Sequence, residues 1–176
     1  MIFILTGPVH SGKTTLVKKV ADDLKTLHFK VDGFLSEAVL ENETIAGYDL
    51  SDLRKGKTFP FIRRQGAEGW ERIGRFYFIP QTLAQAKDII LRSRNADMLM
   101  VDEVGPLELK GGGLWPALEQ VLFSRMRPIL LVVRVRIVRD FLEQMGGEKV
   151  KIFDIREKNI FSRMMKEMER NMDRRK

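Results

Sequence analysis

The chain alternates continuous apolar runs with stretches whose apolar residues recur every three or four positions. Ile2-Phe3-Ile4-Leu5 has the composition of a strand covered on both faces, which predicts a first strand over Ile2–Thr6. From Gly12 to Leu27, Leu16, Val17, Val20, Ala21 and Leu24 fall at helical spacing. Lys30–Glu37 reads as a second strand returning into the sheet. From Ala38 to Phe78 the runs shorten, broken by turn signals at Glu41-Asn42-Glu43, Ala46-Gly47, Arg54-Lys55-Gly56-Lys57 and Gly66-Ala67-Glu68-Gly69. That pattern predicts antiparallel hairpins, the last strand being Ile73–Ile79. Pro80 opens a helix through Arg94 that places Leu83, Ala86, Ile89 and Ile90 on one face. Ala96–Asp102 is an apolar strand ending in an acid, and Pro128–Val133 is a further buried strand. Helices are predicted over Leu114–Arg125, Ile137–Gln144 and Glu157–Asp173, with a strand at Lys149–Ile155. Strands alternating with helices predict an α/β fold: a mainly parallel sheet with helices on both faces and an antiparallel hairpin extension at residues 38–79. At 176 residues, one domain over 1–176 is the expectation.

Composition narrows the chemistry. There are no cysteines, so disulfides, thiolate metal sites and cysteine nucleophiles are excluded. His10 and His28 are the only histidines, too few for a histidine-based metal centre. No apolar run approaches the ~20 residues of a membrane span. Met1 leads straight into a strand without the regions of a secretory signal, so a soluble cytoplasmic protein is expected. The net charge is +7, and basic residues concentrate in Arg54–Arg75 and Arg163–Lys176. A solvated surface that attracts anionic nucleotides accounts for them, and a nucleic-acid surface is the alternative. No aromatic stacking platform is interleaved with them.

Gly7-Pro8-Val9-His10-Ser11-Gly12-Lys13-Thr14 matches G-x-x-x-x-G-K-[ST] between a predicted strand and a predicted helix. This is the context a phosphate-binding loop needs. Backbone N–H groups from Val9 to Thr14 can ring a β-phosphate at the positive end of the helix. Lys13 supplies a cation to the β- and γ-phosphates, and the Thr14 hydroxyl suits Mg²⁺, which takes oxygen ligands. His10 reads as a solvent-exposed loop residue, with orientation of phosphate or water as the alternative.

Asp102-Glu103 ends the Ala96–Asp102 run. In a chain with the loop upstream, Asp102 matches the acid that holds Mg²⁺. Glu103 can orient or deprotonate an attacking water. The strands carrying loop and acids must then lie near each other, at the same sheet edge. A kinase excludes water from the γ-phosphate, whereas a hydrolase activates it, so Glu103 favours hydrolysis to the diphosphate and phosphate. Transition-state charge requires a further cation, drawn from Arg134, Arg136, Arg139 or the Arg54–Arg75 stretch. Glu37 either reaches the same face or forms a hairpin salt bridge. The absence of an N-K-x-D guanine signature points away from a guanine-selective switch and towards broad use of ATP, GTP, CTP and UTP.

Several blocks together resemble a family. Gly7 to Thr15, Gly33-Phe34-Leu35-Ser36-Glu37, Arg72-Ile73-Gly74-Arg75-Phe76 and Val101-Asp102-Glu103-Val104-Gly105-Pro106-Leu107-Glu108-Leu109 occur in this order. They resemble the small nucleoside-triphosphatases of thermophilic archaea and bacteria, which have a cancer-related human relative. The resemblance implies a RecA-like P-loop core and slow Mg²⁺-dependent hydrolysis of several nucleoside triphosphates. It implies nucleotide binding by Gly7, Pro8, Val9, His10, Ser11, Gly12, Lys13, Thr14, Thr15, Val101, Asp102, Glu103, Val104 and Gly105. Glu103 and Lys13 would be catalytic, and Thr14 and Asp102 would hold the metal. Three positions depart from the pattern. His10 stands where many relatives have glycine, Leu40 lies near the place of an arginine, and Ile160 follows Asn159 where an arginine is common. A nucleotide or metabolite kinase is the alternative activity, and a nucleotide-gated RNA- or protein-binding adaptor is a third reading.

Overall fold

A computed structural model describes residues 1–124 and 127–173. Its strands are β1 (Ile2–Thr6), β2 (Val31–Glu41), β3 (Thr44–Asp52), β4 (Thr58–Arg63), β5 (Arg72–Ile73), β6 (Phe76–Phe78), β7 (Met98–Val104), β8 (Ile129–Val133) and β9 (Val150–Asp154). The helices are α1 (Lys13–Thr26), α2 (Pro80–Arg92), α3 (Trp115–Leu122), α4 (Val138–Gln144) and α5 (Ile160–Asp173). All the strands join one sheet in the order β5-β6-β4-β3-β2-β7-β8-β1-β9.

β2, β7, β8, β1 and β9 are parallel neighbours. β3, β4, β6 and β5 extend the sheet from β2 by antiparallel pairing. The expected mainly parallel sheet is therefore a mixed one, with a parallel half and an antiparallel half. β1, β7 and β8 are buried along almost their whole length, as strands sandwiched between helices must be. One face packs on α2, α3 and α4 through residues such as Leu83, Leu118 and Phe141. The other packs on α1 and α5 through Val17, Val20, Leu24, Met164 and Met168. No helix among the described residues is long and apolar enough to cross a membrane.

Gly33 shows how tightly β2 and β7 are joined. It pairs with Met100 across β2 and β7, at φ 120°. A Cβ there would lie 1.8 Å from the Met100 carbonyl oxygen, so only glycine fits.

The element boundaries differ from expectation in places with identifiable causes. β2 runs on to Glu41 because β3 pairs with it well beyond the parallel core. The predicted Ile73–Ile79 strand folds back at Gly74 (φ 59°) into the β5–β6 hairpin. β7 continues past Asp102 to Val104, which pairs with Val133 after a register shift. α2 stops at Arg92 and a 3-10 turn at Ser93–Asn95 takes over. α4 likewise follows a 3-10 turn, Val135–Ile137, and begins at Val138. α5 begins at Ile160 because Glu157 is held in a turn by Asp154 and Asn159 is left-handed at φ 57°. The predicted end of the third helix at Arg125, and the basic residues Arg174, Arg175 and Lys176, lie outside the described residues.

Candidate active site

The Gly7–Thr14 loop joins the carboxyl end of β1 to the start of α1. Gly12, at φ 84°, precedes the first helical residue and leaves the N–H groups of the first turn open. Pro8, Val9 and His10 are exposed, while Gly7 is buried. The Ser11 hydroxyl donates to the Pro8 carbonyl at 2.7 Å and stiffens the loop. Lys13 Nζ bends back to the carbonyls of Gly7 and Pro8. Burial lowers its pKa, and the charges of Asp102 and Glu103 oppose that shift. His10 occupies a left-handed conformation at φ 58°. Glycine takes that conformation without strain, whereas a residue with a side chain pays for it.

Asp102 and Glu103 sit at the same sheet edge as the loop, but β8 lies between β7 and β1. Asp102 is 3% exposed. Its carboxyl accepts the Ser36 N–H at 3.2 Å and lines the same cleft as the Thr14 hydroxyl. Burial pushes its pKa up to about 7, against the pull of Thr14, with the Glu103 charge adding to the rise. The Ser36 hydroxyl beside it is buried and has no hydrogen-bond partner among the described residues.

Glu103 is the extra residue of a bulge, since the β7–β8 register shifts between Asp102 and Val104. Its φ of 99° is rare for a side-chain-bearing residue. Such strain persists where the surroundings over-determine the backbone, often at functional sites. Here the surroundings include Glu108, which is 1% exposed. Its carboxylate accepts the Gly105 N–H at 2.7 Å and the Leu114 N–H at 3.0 Å, tying down the segment behind the bulge. Burial raises the pKa of Glu108.

Arg134, just past β8, donates from Nε to Glu103 Oε1 at 2.8 Å, and its terminal nitrogen contacts the same oxygen. Of the three arginines proposed after that strand, Arg134 is the one on the cleft; Arg139 pairs with Glu143 on α4. Much of the Arg54–Arg75 stretch is spoken for elsewhere. Arg54 pairs with Asp32, Arg63 with Asp49, and Arg72 donates to the Gly74 carbonyl. Arg75 lines the cleft. Glu37 both reaches the cleft and forms an ion pair: it accepts from Lys18 at 2.8 Å and bonds the Ser51 hydroxyl, and these contacts lower its pKa.

The cleft enclosed by these groups holds about 830 Å³. Val9 to Thr15 form one wall and Asp102, Glu103, Val132 and Arg134 the floor. The third side comes from β2 and the hairpins: Arg75 belongs to the basic stretch expected to supply a cation, whereas Ser36, Ile45, Tyr48, Ile73 and Phe76 were not foreseen there. The period-two pattern of β3 marks Tyr48 and Leu50 as one face, the signal that could have placed Tyr48 inward. Val101, Val104 and Gly105 are buried behind the acids and do not line the cleft.

The geometry can be set beside known proteins. The NTPase family model matches residues 2–171. The chain belongs to the NTPase family. Among relatives, Nucleoside-triphosphatase THEP1 of Methanopyrus kandleri is 32% identical over 134 residues, covering 76% of this chain and 73% of the relative. The Archaeoglobus fulgidus THEP1 is 32% identical over 155 residues, 88% of this chain and 89% of the relative. The solution structure of a human cancer-related nucleoside triphosphatase superposes with a TM-score of 0.69 at 26% identity, covering 96% of this chain and 95% of that one. The crystal structure of THEP1 from Aquifex aeolicus gives 0.78 at 20% identity over 96% and 99% of the two chains, a likeness of fold. This NTPase chain thus shares its α/β architecture with both.

Proposed function

We propose that this chain hydrolyses nucleoside 5′-triphosphates, ATP, GTP, CTP and UTP alike, to the diphosphate and phosphate with Mg²⁺, on a RecA-like P-loop core. One observation carries the reading: Lys13 and Thr14 of the glycine loop line the same cleft as the buried Asp102 carboxyl, with Glu103 on the adjoining bulge. The names of the family and of its relatives support the same activity.

The donor chemistry fits Mg²⁺. Thr14, on the loop wall of the cleft, and the buried Asp102, on its floor, are both oxygen donors. Among the described residues no cluster of three or more acidic, histidine or cysteine side chains could hold a metal. Mg²⁺ characteristically takes one or two protein oxygens and completes its shell with water and phosphate. When bound, it would neutralise charge on the β- and γ-phosphates.

The chain's own residues do the rest. Loop N–H groups and Lys13 bind the phosphates, Lys13 leaving the Gly7 and Pro8 carbonyls to do so. Glu103 orients the water in line with the bond that breaks and takes its proton. Arg134 is paired with Glu103 and stands within the same cleft as a cation for the transferring phosphoryl group.

Phosphate release from each of the four triphosphates, with and without Mg²⁺, tests the proposal. Comparable Mg²⁺-dependent release from all of them is expected. Release from one base only, or release unaffected by Mg²⁺ removal, overturns the corresponding part.

A further inference from the structure

The cleft extends well past the groups that hydrolysis uses. In-line attack sets water and leaving group on opposite sides of the γ-phosphate. Glu103 marks the water side, so the diphosphate and nucleoside lie towards the glycine loop and away from it. Beyond Glu103, along the sheet edge, β2 and then β3 follow. The hairpin end of the cleft therefore adjoins the γ-phosphate on its nucleophile side, where the substrate's own nucleoside does not lie.

That end has a defined chemistry. Tyr48 and Phe76 meet edge to face, ring centres 5.8 Å apart. Both are half-buried, and Ile45 and Ile73 continue the apolar wall. The Arg75 guanidinium sits 5.1 Å from the centre of the Phe76 ring. Unlike Arg54, Arg63, Arg92 and Arg134, Arg75 has no carboxylate partner among the described residues. The Tyr48 hydroxyl likewise has no hydrogen-bond partner among them. An aromatic wall, an uncommitted guanidinium and an uncommitted hydroxyl suit a flat ring that carries an anionic group. The cleft's size is that of a site for whole ligands rather than for a phosphate tail alone.

We infer that the Tyr48–Phe76–Arg75 end of the cleft is a second-ligand subsite that takes a nucleoside monophosphate beside the γ-phosphate of the bound triphosphate. The ring packs on Tyr48 and Phe76, and Arg75 receives the phosphate. The inference rests on the proposed triphosphate site, and it gives the hairpin half of the sheet a part in ligand choice.

The test is calorimetric titration of AMP and GMP into the protein saturated with Mg²⁺ and the β,γ-imido analogue of ATP, with ribose 5-phosphate as the ringless control. At least one monophosphate is expected to bind the saturated protein. Ribose 5-phosphate should bind about tenfold more weakly, as loss of a stacked ring predicts. Arg75→Gln and Phe76→Leu should each weaken the monophosphate about tenfold while the analogue still binds. Arg75 is exposed, so its variant tests the subsite even where Phe76→Leu folds poorly. Absence of monophosphate binding, equal binding of the ringless control, or unchanged binding in Arg75→Gln overturns the inference and leaves the triphosphate site standing. Displacement of the analogue by AMP also overturns it, because the ring site then belongs to the substrate's own base. Failure of the analogue itself to bind overturns both readings together.

Discussion

The two walls of the cleft are built in different ways. The glycine-loop wall comes from one unbroken segment, β1 through the start of α1, and its key groups lie within eight residues of sequence. The opposite side is assembled from β2, β3, the β5–β6 hairpin, the β7 bulge and the residue after β8. The first wall is local chemistry on a regular frame. The second is long-range packing that must be held in place, by Gly33 at the strand junction and by Glu108 behind the bulge. A site of this kind separates gripping the substrate from acting on it, and the two walls can be broken separately.

The largest expected effect is on the acting wall. Glu103→Gln should cut phosphate release by about 100- to 10,000-fold, the usual contribution of a positioned base. Nucleotide binding by the loop should persist in that variant, as measured by titration of a non-hydrolysable analogue. Turnover near the wild-type rate would remove Glu103 from the role of base and dissolve the division of labour. Gly33→Ala should follow, with a loss of about 3 kcal/mol or more in denaturant unfolding, since its Cβ would meet backbone rather than a side chain that can turn aside.

Glu108→Ala strands two buried N–H groups and should cost about 2–3 kcal/mol. Activity should fall in this variant while analogue binding by the loop does not. Glu108→Gln offers a gentler probe through pH. Burial raises the Glu108 pKa in the folded chain, so the folded state holds its proton more tightly than the unfolded one. Its contribution to stability is complete below the ordinary glutamate value, ~4.3, and is lost as pH rises through the folded value. Wild-type stability should therefore decline relative to Glu108→Gln as pH rises from 4 towards neutrality; a difference that stays flat would show that folding leaves the Glu108 proton affinity unchanged. The smallest effect belongs to the gripping wall. His10→Gly relieves a left-handed side-chain-bearing residue but loosens the unfolded chain, leaving a net gain of about 0.5–1 kcal/mol in thermal unfolding.

The same contrast explains what the residues alone made legible. Ile2–Thr6, the loop and α1 were readable because periodicity, glycine placement and motif all refer to neighbours in sequence. Asp102 and Glu103 were readable as a pair, but not the bulge that turns Glu103 to φ 99°, because a bulge is a mismatch between two strands. The choice of Arg134 over Arg136 and Arg139 depended on where one residue after β8 points. Glu108 stood out only as part of a family pattern; its work as an acceptor for Gly105 and Leu114 requires the folded loop. The inward turn of Tyr48, Arg75 and Phe76 follows from pairings that span the hairpins, which no local window contains. The antiparallel half of the sheet was foreseen as hairpins, while its weight relative to the parallel half emerged only from the strand order.

One feature sets the scale of everything in the cleft. β8 lies between the strand that carries the loop and the strand that carries the acids. Neighbouring strands are spaced ~4.8 Å apart, so a single intervening strand holds the two sets of groups ~10 Å apart at the backbone. β8 is in this sense a ruler. A pairing of β1 directly with β7 would press Lys13 against Asp102 with no room for a phosphoryl group, and two intervening strands would leave Thr14 and Asp102 out of reach of each other. The gauge is cut by five apolar residues, Ile129 to Val133, that take no part in the chemistry.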